Sequence, residues 1–356
     1  MKFGGTPPQD IPEGDLTAAL PWAFGGPAGA ASLRAVPEDF VVEEVLGYQP
    51  SGAGEHVVVC VRKRNLNTHD VADRLARLAG VRPAAVGYAG RKDKLAVTTQ
   101  SFSVQLPGRA DPDWTALDSA DLTVLSALRH HRKIRRGALR GNRFFIRLRR
   151  LAADPIVLED RLASIGARGL PNYFGAQRFG TGGQNLGRAA QLLAGRRRFD
   201  RNQFNILLSA VRGWLFNRVL AARVERLDWD RVVDGDVLQL DGTRRLFVPE
   251  VYDEEIRARA TRLDVHATGP LPGAAARAPQ AQAEAARVER AALDDTEFWL
   301  RGLCHAGLAA DRRALRVRVQ DLEWTREGGD LELSFGLAAG AYATSVLREA
   351  VTTGPG

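Results

Sequence analysis

Strand-like segments lie towards both ends of this 356-residue chain, and the longest helical pattern lies between them. This order predicts an α+β domain interrupted by an insertion, and the length itself suggests roughly two domains. The predicted strands are a turn-to-strand segment over 34–45 and the runs 56–61, 86–88, 143–149, 315–319 and 331–335. Helices are predicted over 68–79, 204–224 and 343–351, and residues 271–286 are predicted to be a connector followed by a helix.

Two of the predicted helices carry specific expectations. Thr68 is expected to cap the start of the first helix and Gly80 to end it. The long middle helix has an apolar stripe at 3.6-residue spacing, which predicts that one face is buried. The residues of that stripe are Leu207, Leu208, Val211, Leu215 and Leu220.

The charge balance favours an anionic partner, because the net charge is +8 and the pI is about 10.0. Nucleic acid and a membrane surface both fit that charge. No apolar run approaches the roughly 18 residues of a spanning helix, and the first residues lack the pattern of a signal peptide. We therefore expect a soluble, cytoplasmic protein. The two cysteines, Cys60 and Cys304, are not arranged as a disulfide scaffold or a zinc site.

One carboxylate, Asp93, stands among Arg91, Lys92 and Lys94, on a loop expected after the short strand predicted at 86–88. Neighbouring positive charge favours the ionised form of a carboxylate, and the same cations suit the phosphates of a nucleic acid. The commoner alternative for such an aspartate is a surface ion pair. Most of the cationic residues are arginines, and two of the five lysines flank Asp93; the five are Lys2, Lys63, Lys92, Lys94 and Lys133.

A second cluster of positive charge, residues 129–136, is called here the basic segment. It reads Arg-His-His-Arg-Lys-Ile-Arg-Arg and leads through Arg140 and Arg143 to Phe144 and Phe145. Cations beside aromatic rings are typical of RNA-binding surfaces, and a solvated basic face is the alternative. Metal-binding histidine spacing, a Walker loop and a Gly-x-Ser-x-Gly elbow are absent from the sequence. A reaction that uses one carboxylate and no cofactor fits what remains.

Five motifs carry a family resemblance, and along the chain they occur in the same order as in that family. They are Tyr88-Ala89-Gly90-Arg91-Lys92-Asp93-Lys94 with Ala96-Val97-Thr98, Pro37-Glu38-Asp39-Phe40, residues 137–144, residues 171–180, and residues 340–349. Together they resemble the TruD family of tRNA pseudouridine synthases, and the similarity covers nearly the whole chain after residue 30.

The resemblance implies a fold and an activity. The family isomerises uridine to pseudouridine at position 13 of tRNA without cofactor or metal. Its catalytic domain is a circularly permuted mixed sheet of the pseudouridine synthase type, with an inserted α/β TRUD domain. We therefore expect an irregular lead-in over 1–30, the catalytic domain over 31–168 and 317–356, and the insertion over 169–316. tRNA is the expected partner, and no obligatory protein partner or membrane is expected.

The resemblance also implies site residues. The family's catalytic aspartate falls on Asp93, and the residues near the target base fall on Phe40, Asn142, Phe144 and Tyr342. Arg34 stands where the family usually has lysine, and Tyr342 stands where bacterial relatives often have phenylalanine. Arg34 and Lys92 complete the predicted substrate-binding set. The cations expected to hold the RNA backbone are Arg91, Lys94, Arg132, Lys133, Arg135, Arg136 and Arg140.

Two other functions remain open from the sequence. A catalytically silent tRNA-binding protein or RNA chaperone would use the basic segment equally well, although retention of Asp93 counts against it. A DNA-binding protein is the third hypothesis, and it lacks a recognisable groove-reading helix.

Overall fold

The computed structural model describes residues 5–274 and 278–355. The chain forms two compact units, and each is discontinuous in sequence. The first, here the helical unit, comprises residues 1–26, 163–318 and 344–349. The second, here the sheet unit, comprises residues 27–162, 319–343 and 350–356. The domain boundaries expected from the sequence stay a prediction.

The strands in chain order are β1 (Gly29–Leu33), β2 (Phe40–Leu46), β3 (His56–Arg64), β4 (Val86–Tyr88), β5 (Val97–Gln105), β6 (Leu122–His130), β7 (Leu139–Ala153), β8 (Leu170–Pro171), β9 (Leu238–Leu240), β10 (Leu246–Phe247), β11 (Val265–Leu271), β12 (Asp311–Ala314), β13 (Arg316–Val317), β14 (Val319–Glu327), β15 (Asp330–Ala338) and β16 (Thr352–Pro355). The helices are α1 (Thr68–Leu78), α2 (Pro155–Arg168), α3 (Gln184–Leu193), α4 (Arg201–Glu225), α5 (Glu254–Thr261), α6 (Ala283–Leu293), α7 (Glu297–His305) and α8 (Ala343–Ala350).

The sheet unit is built on one ten-stranded mixed sheet. Its main path runs β14-β15-β7-β2-β5-β3-β6, with β1 and β4 pairing onto it from the side and β16 pairing with β1. Strands β2 and β5 are parallel, whereas β7 pairs antiparallel with both β2 and β15. The expected α+β fold with a mixed sheet is therefore confirmed.

Helix α1 packs on this sheet through its apolar stripe. Val71 and Leu75 are fully buried against the valines of β3 and against Phe102 of β5. The helix was predicted correctly, but the prediction that Thr68 caps it was wrong. Asn67 holds the N-cap position, and the Asp70 carboxylate accepts from its backbone N–H at 3.3 Å. The Thr68 hydroxyl is instead buried and bonds to the sheet.

The helical unit surrounds α4, the long helix predicted at 204–224. Every residue of the predicted apolar stripe is buried, so that face was predicted correctly. Helices α3, α6 and α7 and the four-stranded sheet β10-β9-β11-β12 pack around it. Residues 5–28 contain no helix or strand, and Leu16 and Leu20 of this lead-in pack against the unit's apolar core.

The prediction of one strand over 315–319 was wrong. Arg316 and Val317 pair with Leu170 and Pro171, whereas β14 begins at Val319 and pairs with β15. The strand is broken because its pairing partner changes where the chain passes from the helical unit to the sheet unit.

Other boundaries agree more closely with the predictions. Helix α8 matches the helix expected at 343–351, and strands occupy 56–61, 86–88, 143–149 and 331–335. In the predicted connector over 271–286, α6 begins at Ala283, and residues 275–277 lie outside the described residues. Within the described ranges, no helix has the length and apolarity needed to cross a bilayer.

Candidate active site

Asp93 lies on the loop of residues 89–96, here the Asp93 loop, which joins β4 to β5. Its side chain is 46% exposed, and its Oδ2 accepts a hydrogen bond from Nη2 of Arg34 at 2.6 Å. Arg34 is distant in sequence, whereas the expected charge partners were the three cations next to Asp93. The structure therefore presents a solvent-accessible carboxylate paired with an arginine.

Arg34 is held in an unusual position. Its backbone φ is +62°, in the left-handed region that non-glycine residues rarely adopt. Its guanidinium lies 4.1 Å from the centre of the Phe40 ring, a cation–π distance. Its Nε is buried without a hydrogen-bond partner among the described residues. Packing on Phe40 thus fixes the guanidinium that faces Asp93.

The turn before Phe40 is fixed by a buried carboxylate. Asp39 is 1% exposed and accepts from Nη2 and Nε of Arg149 at 2.7 and 2.9 Å. It also accepts from the backbone N–H of Val36 at 3.0 Å. Burial opposes the charge of Asp39, but the bonds from Arg149 hold the pKa of Asp39 below its usual value. The motif that carries Phe40 is therefore tied to β7.

The register of the central strands collects the site residues on one face of the sheet. Phe40 pairs with Ile146, Val42 with Phe144, and Glu44 with Asn142 across β2 and β7. Because cross-strand partners lie on the same face and side chains alternate, these residues share a face. By the same register Thr98, Gln100 and Lys63 lie on that face in β5 and β3.

Lys92 points inward from the Asp93 loop. Its side chain is only 9% exposed; Nζ donates to Oδ1 of Asn142 and lies 3.4 Å from Oε1 of Glu44. Glu44 also accepts from the backbone N–H of Ser101 at 3.1 Å. Burial raises the pKa of Glu44 and lowers that of Lys92, and their mutual attraction opposes both shifts. Lys92 and Asn142, which were both predicted to bind the substrate, are thus hydrogen-bonded to each other, and the Glu44 carboxylate lies next to Lys92.

Two further side chains, those of Thr68 and Gln100, anchor the Asp93 loop on its buried side. The Thr68 hydroxyl accepts from the backbone N–H of Lys92 at 2.9 Å and donates to Oε1 of Gln100 at 3.0 Å. Nε2 of Gln100 donates to the carbonyl of Gly90 at 2.8 Å. The roles of these two residues and of Glu44 were not predicted from the sequence, because they depend on how distant elements pack and no local motif marks them.

Lys63 is another anchor of the Asp93 loop that was not predicted from the sequence. It is fully buried in β3, and its Nζ donates to the carbonyls of Leu66 at 2.7 Å and Asp93 at 3.0 Å. A signal for it was available. Lysine is rare in this chain, and this one stands two residues after the apolar run 56–61.

The predicted aromatic residues are largely buried. Phe144 is 6% exposed, stacked on Phe335 at 5.4 Å and edge-on to Phe40 at 6.2 Å. Tyr342 is half-buried in the segment after β15, where the backbone N–H of Ala339 donates to the carbonyl of Arg140 at 3.2 Å. Phe40 and Phe144 are therefore in contact, and the segment carrying Tyr342 lies beside the start of β7.

The basic segment passes close to β4 and the Asp93 loop. Gly87 permits this approach, because a Cβ there would lie 2.4 Å from the carbonyl oxygen of Ile134. The backbone N–H of Gly137 then donates to the carbonyl of Ala89 at 2.9 Å. Nζ of Lys133 donates to the carbonyl of Ala84. The other cations that were predicted to contact the RNA backbone are exposed. They are Arg91, Lys94, Arg132, Arg135, Arg136 and Arg140.

This arrangement has a limited set of chemical capacities. An exposed, ion-paired carboxylate can act as a nucleophile or as a base. The exposed cations near it can hold phosphates. Among the described residues, no cluster of three or more His, Cys, Asp or Glu side chains is arranged to hold a metal ion.

Comparison with known proteins places this arrangement in a known fold. A crystal structure from Methanosarcina mazei superposes with a TM-score of 0.71 and 22% identity, covering 92% of this chain and 95% of that one. That protein is named, as an assignment still to be tested, tRNA pseudouridine synthase D (TruD). At this identity the likeness establishes the fold alone. The chain thus has a fold of the pseudouridine synthase type.

Sequence comparison is more specific. The family model described as tRNA pseudouridine synthase D (TruD) matches residues 23–196 and 184–350. A relative of that name from Methylococcus capsulatus is 50% identical over 94% of this chain and 95% of its own. Another from Nitrosococcus oceani is 48% identical over 96% of each chain. The chain therefore belongs to the tRNA pseudouridine synthase D (TruD) family.

Proposed function

We propose that this protein isomerises uridine to pseudouridine in tRNA, at position 13, with Asp93 as the catalytic group. The observation that carries the proposal is the presentation of Asp93: its carboxylate is 46% exposed and ion-paired with Arg34, on a loop anchored by four buried side chains. These are Lys63, Thr68, Lys92 and Gln100. The names of the relatives support the reaction.

The reaction requires a reactive carboxylate, and the uracil ring must stay bound after it detaches from the ribose. The bond from N1 of uracil to C1′ breaks, the base rotates, C5 bonds to C1′, C5 loses its proton and N1 gains one, so that no atom is gained or lost overall. Asp93 acts either as nucleophile or as base, and in both roles it must be ionised. Nη2 of Arg34 donates a hydrogen bond to Oδ2 of Asp93 at 2.6 Å and so orients the carboxylate.

The other predicted residues bind the substrate. A uridine inside folded tRNA must be turned out of its stack before chemistry. Asn142, held by Lys92, is the hydrogen-bonding group for the exposed base, and the rings of Phe40, Phe144 and Tyr342 form the apolar surroundings of that base. The exposed cations of the basic segment and of the Asp93 loop hold the phosphates on either side. A tRNA substrate also implies a cytoplasmic location.

The direct test is an assay of the purified, unmutated chain. It is incubated with tRNA transcripts carrying uridine at position 13, without added cofactor, and pseudouridine is mapped by carbodiimide modification and primer extension. We expect a stop at position 13, and none in a transcript with cytidine there. Normal tRNA affinity without pseudouridine would favour the silent RNA-binding alternative. Tighter binding of duplex DNA than of tRNA at equal salt would favour the DNA-binding one.

The basic segment makes a separate prediction. The double variant Arg135→Ala/Arg136→Ala should weaken tRNA binding and reduce the slope of log affinity against log salt by about 1 to 2, because each lost phosphate contact lowers it by somewhat less than one. The single-turnover rate at saturating tRNA should stay within about threefold of the unmutated rate. Filter binding at several salt concentrations measures the slope. Arg326→Ala is the control, since Arg326 is exposed on β14, at the far edge of the sheet from β6. An unchanged slope in the double variant would contradict the assignment.

A further inference from the structure

Lys63 is a buried cation that anchors the Asp93 loop and takes no part in the bond-making steps proposed above. Its side chain is fully buried, and in the part of the chain that the structure describes no carboxylate lies within 4.0 Å of its Nζ. Its partners are two backbone carbonyls, those of Leu66 and Asp93. The ammonium therefore joins the end of β3 to the residue that carries the catalytic carboxylate.

A buried positive charge at this position lowers the stability of the folded protein. Removing an ammonium from water is costly, and two neutral carbonyls offset that cost only in part. Burial accordingly lowers the pKa of Lys63 to about 8. An apolar side chain of similar length would fill the same space without that penalty. The cation is therefore better explained by what it does to the loop above it.

The charged surroundings of Lys63 point to Asp93. Asp93 exerts the largest of the neighbouring charge effects, and it favours the ammonium form of Lys63. Lys92 on the same loop opposes that form, while Glu44 on β2 and Asp70 on α1 favour it. The cross-strand neighbours of Lys63 on β5 and β6 are Thr98 and Leu122, which carry no charge.

We propose that Lys63 is a positioning residue for the reaction: its ammonium fixes the backbone carbonyl of Asp93, and so sets where the catalytic carboxylate lies. The proposal rests on the proposed function. Arg34 contacts the carboxylate from the exposed side, whereas Lys63 holds its main chain from the buried side. A displacement of about 1 Å in a reacting group can cost about a hundredfold in rate, which gives this carbonyl contact a kinetic consequence.

The test is Lys63→Met, which keeps an unbranched side chain, one heavy atom shorter, and removes the ammonium. We expect a single-turnover rate about 30- to 100-fold lower, with KM within about threefold, because tRNA contacts are untouched. The unmutated rate should fall as pH rises through about 8, where Lys63 loses its proton, and the variant should lack that fall. Arg62→Met is the matched control, since Arg62 is the exposed neighbour on β3, and its rate and pH profile should be those of the unmutated protein.

The outcomes separate this inference from the proposed function. No pseudouridine from the unmutated chain rejects the proposed function itself. An active unmutated chain with an equally active Lys63→Met variant, or a variant that keeps the alkaline fall, rejects the role of Lys63 alone. If circular dichroism shows that Lys63→Met does not fold, the role of Lys63 is tested by the pH dependence of the rate of the unmutated chain. A rate independent of pH between about 7 and 9 would then reject the role, and a fall centred near 8 would support it.

Discussion

Replacing Asp93 with asparagine is expected to reduce pseudouridine formation by at least about 10⁴-fold, as removal of a group that takes part in bond making does in other enzymes. Asparagine keeps the size of the side chain, but it neither attacks carbon nor accepts a proton at neutral pH. Affinity for tRNA should stay within about threefold, because the phosphate contacts belong to other residues. The loss should therefore lie in kcat.

The measurement is single-turnover pseudouridine formation at saturating tRNA, with binding and thermal unfolding followed in parallel. Asp93→Asn gives up an ion pair that is open to solvent, so the free energy of unfolding should change by less than about 1 kcal/mol. Asp160→Asn is the control, since Asp160 is an exposed aspartate of α2 in the sheet unit. A folded Asp93→Asn variant that retains more than a few per cent of the rate would assign catalysis to another group.

Local sequence signals located the Asp93 loop and most of the surrounding strands. Three predicted strands each show their pattern within a few residues: the β-branched run 56–61, the short strand 86–88 and the alternating segment 143–149. Such patterns report the backbone and which side is buried. They were sufficient to place Asp93 on a loop at the end of a strand.

The hydrogen-bond network on the buried side of the Asp93 loop could not be predicted, because it depends on packing between elements that are distant in sequence. Thr68 shows this most clearly. By local rules it is a helix cap, but the fold gives the cap to Asn67 and uses the Thr68 hydroxyl to join Gln100 to the Asp93 loop. Arg34 is a second example, since 59 residues of sequence separate it from the carboxylate that it pairs with. Only the tertiary fold brings these groups together.

Replacing Lys92 with methionine is expected to be the most destabilising change at the site. The substitution leaves Glu44, whose side chain is 1% exposed, without its cation. Removing one partner of a buried ion pair costs about 3–5 kcal/mol in the free energy of unfolding. Asn142 also loses the donor that orients its amide, so the surviving folded protein should be less active. Urea unfolding at pH 7 measures the stability change.

The pH dependence and a second substitution identify the cause of that loss. Burial raises the pKa of Glu44 even with Lys92 present, and without Lys92 that rise is no longer opposed by its nearest cation. A carboxyl whose pKa is higher in the folded state binds protons on folding, so the Lys92→Met variant should regain stability as pH falls from 7 towards 5. Adding Glu44→Gln removes the unpaired charge and should restore at least about half of the lost free energy. If the double variant is no more stable than Lys92→Met at pH 7, the destabilisation arises from packing, and the unpaired charge of Glu44 is not its cause.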